Sequence, residues 1–200
     1  MVSARTLQSA TLRHLNAEAE LAELQAKAEA RRERNIAART LFFNSDVDED
    51  TVGYAVEQFH DMELEGDDPI TIVLNSPGGE VFAGLLLFDT LRRSTVNIVT
   101  ITRGLGASMG SILAQAGDVR LVSPNTGYMV HEPSSIAWGK AGDIKREAKL
   151  MERLHDQLCD ILAERSTLDK ASIMRRSQDK DWWMSAAEAL EFGFFDGYDE

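Results

Sequence analysis

A serine hydroxyl becomes a useful nucleophile when it is exposed, relieved of its proton by a nearby base, and faced by donors that hold the resulting oxyanion. Stretches of this 200-residue sequence offer such parts. Gly106-Ala107-Ser108-Met109-Gly110 sets a serine among small residues between a β-rich run and a helical one. A sharp strand-to-helix turn there would expose the side chain. Asn75-Ser76-Pro77-Gly78-Gly79 ends a second apolar run. Pro77 halts that strand, and two glycines let the backbone approach a ligand without a Cβ in the way. An N–H in such a turn can be aimed at developing charge. For the base there are four histidines. His14, His60 and His155 fall within helical patterns among polar neighbours and read as surface residues. His131 instead ends the apolar run Tyr128-Met129-Val130, and strand ends in parallel sheets face the usual site-bearing edge. The acid that would orient the imidazole is left open among Asp118, Asp143, Asp179, Asp181 and Asp196.

The elements that must position these groups follow from apolar spacing. Leu41–Phe43, Ile70–Leu74, Asn97–Thr102, Val119–Val122 and Gly127–Val130 read as strands, and the continuous run Ile70–Leu74 suits a strand buried on both faces. Asp48–Met62, with Asp46 or Asp48 as cap, Val81–Leu91, Ser108 to about Gln115, and Asp143–Arg165 read as helices. A Gly-rich turn separates the Asn97–Thr102 strand from Ser108. Ser185-Ala186-Ala187-Glu188 fits a capping box for a last helix that Gly193 would close. Strands alternating with helices predict an α/β domain with a mainly parallel sheet over residues 40–200. Residues 1–39 differ in texture. Leu7–Arg39 lacks Gly and Pro, is rich in Ala, Glu, Leu, Gln and Arg, and carries Leu12, Leu15, Ala19, Ala22 and Ala26 at helical spacing. That predicts a helical N-terminal extension with a thin apolar stripe.

Composition narrows the function. The formal charge is −12, against phosphate-backbone binding to nucleic acid, which needs a basic face. Hydrophobic residues make up 44% and charged residues 27%, ordinary for a folded soluble chain. The single Cys159 makes no internal disulfide, and one Cys with four scattered His forms no zinc-ligand pattern. No apolar run approaches the ~20 residues of a membrane span, and Met1–Ala10 has no apolar signal core. The expectation is a cytoplasmic protein with neither membrane nor nucleic-acid partners. The acid-rich stretch Asn44–Asp68 reads as a solvated face.

Taken together, the motifs resemble the proteolytic subunit of the Clp protease family. The stretches that carry the resemblance are Asn75–Gly79, Gly106–Gly110, Met129-Val130-His131-Glu132-Pro133, and Asp181-Trp182-Trp183-Met184-Ser185-Ala186-Ala187-Glu188-Ala189 with Phe192-Gly193 and Asp196. The resemblance spans nearly all of Thr40–Asp196. It implies a crotonase-type repeated ββα spiral with a protruding helical handle, which Ser134 to about Leu150 would supply. It makes Ser108 the nucleophile, His131 the general base and acid, and Asp181 the group that orients His131. The backbone N–H groups of Gly79 and Met109 would form the oxyanion hole. No cofactor or metal is implied. The order of these residues separates the chain from α/β-hydrolases, in which the histidine comes last; here no histidine follows Asp181.

The same resemblance implies a serine endopeptidase acting on unfolded polypeptides inside a chamber of two stacked seven-membered rings, with an AAA+ unfoldase as partner. Two departures bear on that partner. The strand Thr71-Ile72-Val73-Leu74 lacks the aromatic residues that line the family's docking cleft, and Arg93 stands where an apolar residue is common. The long helix Leu7–Arg39, in place of short axial loops, is similar to phage and prophage-type members. Alternative expectations follow: a head-maturation protease that trims capsid or scaffold protein, or a ring-forming assembly protein without activity.

Overall fold

The computed structural model describes residues 4–199, apart from the side chains of 4–13 and of Leu15. It divides into two compact units that meet between Ala38 and Arg39. The first is one helix, α1 (Ala4–Ala37). Of its expected stripe, the Leu12 and Leu15 side chains lie outside the described residues, and Ala19, Ala22 and Ala26 are exposed. Within it Lys27 pairs with Glu23 one turn away, at 2.6 Å.

The second unit is α/β, as the sequence leads one to expect. In chain order it comprises β1 (Thr40–Phe43), α2 (Glu49–Glu65), β2 (Ile70–Ser76), α3 (Val81–Arg92), β3 (Ile98–Ala107), α4 (Met109–Leu113) with a 3-10 turn at Ala114–Ala116, β4 (Val119–Val122) and β5 (Gly127–Val130). It continues through α5 (Ala141–Glu164), α6 (Lys170–Ser177), β6 (Trp182–Ser185), α7 (Ala186–Glu191) and β7 (Gly197–Tyr198). The main sheet runs β1-β2-β3-β4-β7 with every neighbour parallel. Ile70, Ile72 and Leu74 of β2 are wholly buried, whereas Thr71 and Val73 are half-buried, so only one face of this central strand is sealed.

Local chemistry starts and stops these elements. The Asp48 carboxylate accepts from Thr51 N at 2.8 Å while Thr51 Oγ1 accepts from Asp48 N, and α2 begins there. Its far end is closed by Arg39, whose guanidinium donates to the carbonyls of Met62, Gly66 and Asp68. Met62 O is one of the last-turn carbonyls left without a partner within the helix, and the same cation ties the cap at Gly66 and the following loop to it. Between the two ends Val52, Ala55, Phe59 and Met62 form the buried face, each large member contributing about 1.5–3 kcal/mol of burial.

One expectation is corrected. The residues after Thr102 do not form a Gly-rich turn; β3 continues to Ala107 and changes partner on the way. Val99–Thr102 pairs with β4, and Leu105–Ala107 pairs with β5. At the changeover the register with β2 shifts between Leu74 and Ser76, and the Asn75 side chain accepts from Leu105 N at 3.1 Å. An amide side chain there stands in for the displaced strand. The segment expected for the handle is irregular as far as Gly139. α5 follows, exposed over its first turns and docked through Leu154, His155, Leu158, Cys159 and Leu162.

Candidate active site

Ser108, His131 and Asp181 each stand at the end of a strand. Ser108 directly follows β3 with φ 52° and ψ −123°, a conformation that a residue with a Cβ adopts only under constraint. Its N–H donates to Met129 O at 2.9 Å, and its carbonyl accepts from the N–H and the hydroxyl of Ser111. His131 follows β5, and its Nε2 lies 2.9 Å from Ser108 Oγ.

Strand register explains the third group. β5 and β6 are antiparallel, with Val130 opposite Trp182. One step outward sets His131 against Asp181, and His131 Nδ1 lies 3.3 Å from Asp181 Oδ1. The carboxylate is 56% exposed, so water shares it with the imidazole. Its position is secured from both sides. Glu132 Oε1 accepts from Asp179 N, and Trp182 packs against Phe192 and Phe194 with the Arg176 guanidinium 5.2 Å from its ring. Three of the other four carboxylates are committed elsewhere. Asp118 accepts from Ile98 N, Asp143 from Lys140 N at the start of α5, and Asp196 pairs with Arg120 and Arg165. Burial would raise the Asp196 pKa, but hydrogen bonds from Arg120 outweigh it and hold the carboxyl below its usual range.

The Gly78-Gly79 turn lies directly beside the serine. A Cβ on Gly78 would come within 2.6 Å of Ser108 Cβ and 2.7 Å of Ala107 O, so nothing larger than glycine fits. Gly79, at φ 149°, is locked by Val47: Val47 N donates to Gly78 O and Val47 O accepts from Glu80 N. In such a parallel bridge the N–H and C=O of the middle residue point away from the partner strand. Gly79 N–H is thereby left unclaimed by Val47. Met109, the first residue of α4, has no intrahelical acceptor for its own N–H.

A pocket opens beside Ser108 and His131, walled by Val81, Ile112, Pro133, Leu158 and Leu162. His155 and Cys159 complete the wall. His155 is therefore not the surface residue its polar neighbours suggested. It is 9% exposed, with Nε2 3.1 Å from Ser177 Oγ, and burial draws its pKa down. His155, Leu158, Cys159 and Leu162 recur at spacings of three and four, and that stripe was the available signal. His14 and His60 are exposed as expected.

A serine hydroxyl against an imidazole, backed by a carboxylate at the edge of a parallel sheet, is the arrangement of a serine hydrolase. Comparison with known sequences narrows this further. The model of the Clp protease family matches residues 24–198, a span that also takes in the last part of α1. The chain is 36% identical over 163 residues to an ATP-dependent Clp protease proteolytic subunit of Bacteroides thetaiotaomicron, covering 79% of this chain and 73% of the relative. It is 34% identical over 165 residues to ATP-dependent Clp protease proteolytic subunit 1 of Chlamydia muridarum, covering 80% and 85%. The chain belongs to the Clp protease family and is a serine endopeptidase.

Proposed function

We propose that Ser108 attacks the peptide carbonyl while His131 takes its proton, and that Asp181 holds the imidazole in the tautomer this needs. The reading rests on one observation: His131 Nε2 stands 2.9 Å from Ser108 Oγ with the Asp181 carboxylate behind it. For Ser108 to donate, Nε2 must be bare and Nδ1 must carry the hydrogen, facing Asp181. The imidazolium formed on attack is stabilised by that carboxylate and then returns its proton to the leaving amine. The N–H groups of Gly79 and Met109 receive the oxyanion. Water, activated by the same histidine, releases the acyl group from Ser108.

Unfolded polypeptides entering a chamber of two stacked seven-membered rings are the proposed substrates. An ATPase is favoured over capsid or scaffold protein as partner, because both relatives are named as ATP-dependent. Among the described residues no helix is long and apolar enough to cross a membrane. Ser108→Ala should abolish cleavage of a fluorogenic peptide and labelling by a fluorophosphonate, with native mass unchanged. Full activity in that variant would overturn the assignment, and a monomeric native mass would overturn the chamber.

A further inference from the structure

The unfavourable backbone at Ser108 persists only if its surroundings over-determine it. Two adjacent residues of β5 do this from opposite ends. Met129 O accepts from Ser108 N at 2.9 Å. On the other side, Ser111 donates to the Ser108 carbonyl through its N–H at 2.9 Å and its hydroxyl at 2.6 Å. The Ser111 carbonyl in turn accepts from the phenol of Tyr128, 2.9 Å away and wholly buried.

The direction of that last bond is set further back. Arg120, 2% exposed, can only donate, and its Nη1 lies 2.7 Å from Gln115 Oε1. Gln115 must then turn Nε2 toward Tyr128, donating to the phenol oxygen at 3.0 Å and to Phe194 O at 3.1 Å. With its oxygen engaged as acceptor, the phenol sends its proton to Ser111. Asp196 Oδ1 holds Arg120 Nη2 at 2.6 Å, anchoring the line. Burial pushes the Tyr128 pKa up, so the phenol keeps the proton it donates.

We propose that Tyr128 is a positioning residue for the reaction assigned above: aimed by Gln115 and Arg120, its hydroxyl braces Ser111, and through it Ser108, against the strand that carries His131. The inference rests on Ser108 being the nucleophile. It predicts that one oxygen atom, remote from substrate, sets the reactivity of the serine.

Tyr128→Phe removes that atom and keeps the ring packed on Phe194 and Phe195. Expected is a loss of about tenfold in the rate of fluorophosphonate labelling and in kcat per folded molecule, with KM within about twofold, since small misplacements of reacting groups are costly. Gln115→Glu presents a carboxylate that takes the phenol proton away from Ser111, and should reproduce the loss. The double variant should lose no more than the larger single one. Labelling of Tyr128→Phe or Gln115→Glu at the wild-type rate overturns the inference, as does a loss that appears in KM alone. If the wild-type chain takes no label at Ser108, the nucleophile assignment falls with it; a labelled wild type with an equally fast Tyr128→Phe sinks only the brace.

Discussion

Replacing Asp181 by Asn keeps its shape and removes its charge, which isolates what the carboxylate does for His131. An amide can present its NH2 to Nδ1 and so favour the tautomer that cannot accept from Ser108. Turnover should fall on the order of 10⁴-fold, measured as kcat on a short peptide. An Asp179→Asn variant that showed this loss instead would move the role two residues upstream. Gly78 tests the other side of the pocket. A methyl group there must displace Ser108 or the Ala107 carbonyl, and the φ of 95° strains any side chain. Gly78→Ala should therefore lower kcat by at least about 10²-fold, the scale of an ångström misplacement, with the fold retained by circular dichroism. Unaltered kcat would show that the close approach is dispensable.

At the level of elements, the irregularity in β3 makes a separate prediction. Asn75 occupies the gap where β2 and β3 lose register, and its Oδ1 holds the Leu105 amide while Nδ2 donates to Asn44. Asn75→Ala should cost about 1 kcal/mol, the net worth of a hydrogen bond, and should speed hydrogen exchange at Leu105. Equal exchange in both proteins would mean that β5 alone holds this stretch. Such non-local devices separate what was legible in the sequence from what was not. The cap at Asp48, one of two aspartates the sequence offers, the Ser185–Glu188 capping box, and the apolar runs of β1, β2, β4 and β5 are local signals, and the elements stand where those signals put them. The second half of β3 has the sequence of a turn, because Gly104 and Gly106 disfavour strand; pairing with β5 overrides that preference. α6, β6 and β7 are short and go unread, although α6 has a local start signal in Asp169, whose carboxylate accepts from Ser172 N. Gly106–Gly110 and the strand-end His131 stood out by residue type and place. Choosing one of five carboxylates took the family resemblance, because the β5–β6 register that sets Asp181 opposite His131 is invisible to spacing along the chain.

Across the whole molecule, stability should respond to acid in two stages, because a buried histidine and an arginine-paired carboxylate both resist protonation. His155 is kept neutral mainly by burial, which outweighs the pull of Glu132 and Asp156 toward the charged form, and His131 adds to the downward shift. Its folded pKa lies below the unfolded value of about 6.5. The stabilisation is complete above that value and is lost as pH falls through the folded pKa, because the unfolded chain takes a proton that the native ring refuses. Asp196 follows the same sign at lower pH. Its folded pKa lies below the carboxylate range, and its contribution disappears only under more acid conditions, where the link to Arg120 and Arg165 fails. Cys159 acts at the other extreme: burial pushes its thiol up to about 11, so its contribution is full below the unfolded thiol value and declines as pH rises toward that figure. Melting temperature should hence begin to drop below about pH 6.5, ahead of any carboxylate. His155→Gln, which keeps a donor for Ser177 but cannot titrate, should flatten the fall between pH 7 and 5.5 while leaving the steeper loss below pH 4 in place. A variant whose melting curve tracks the wild type through both ranges would assign the first stage to another group.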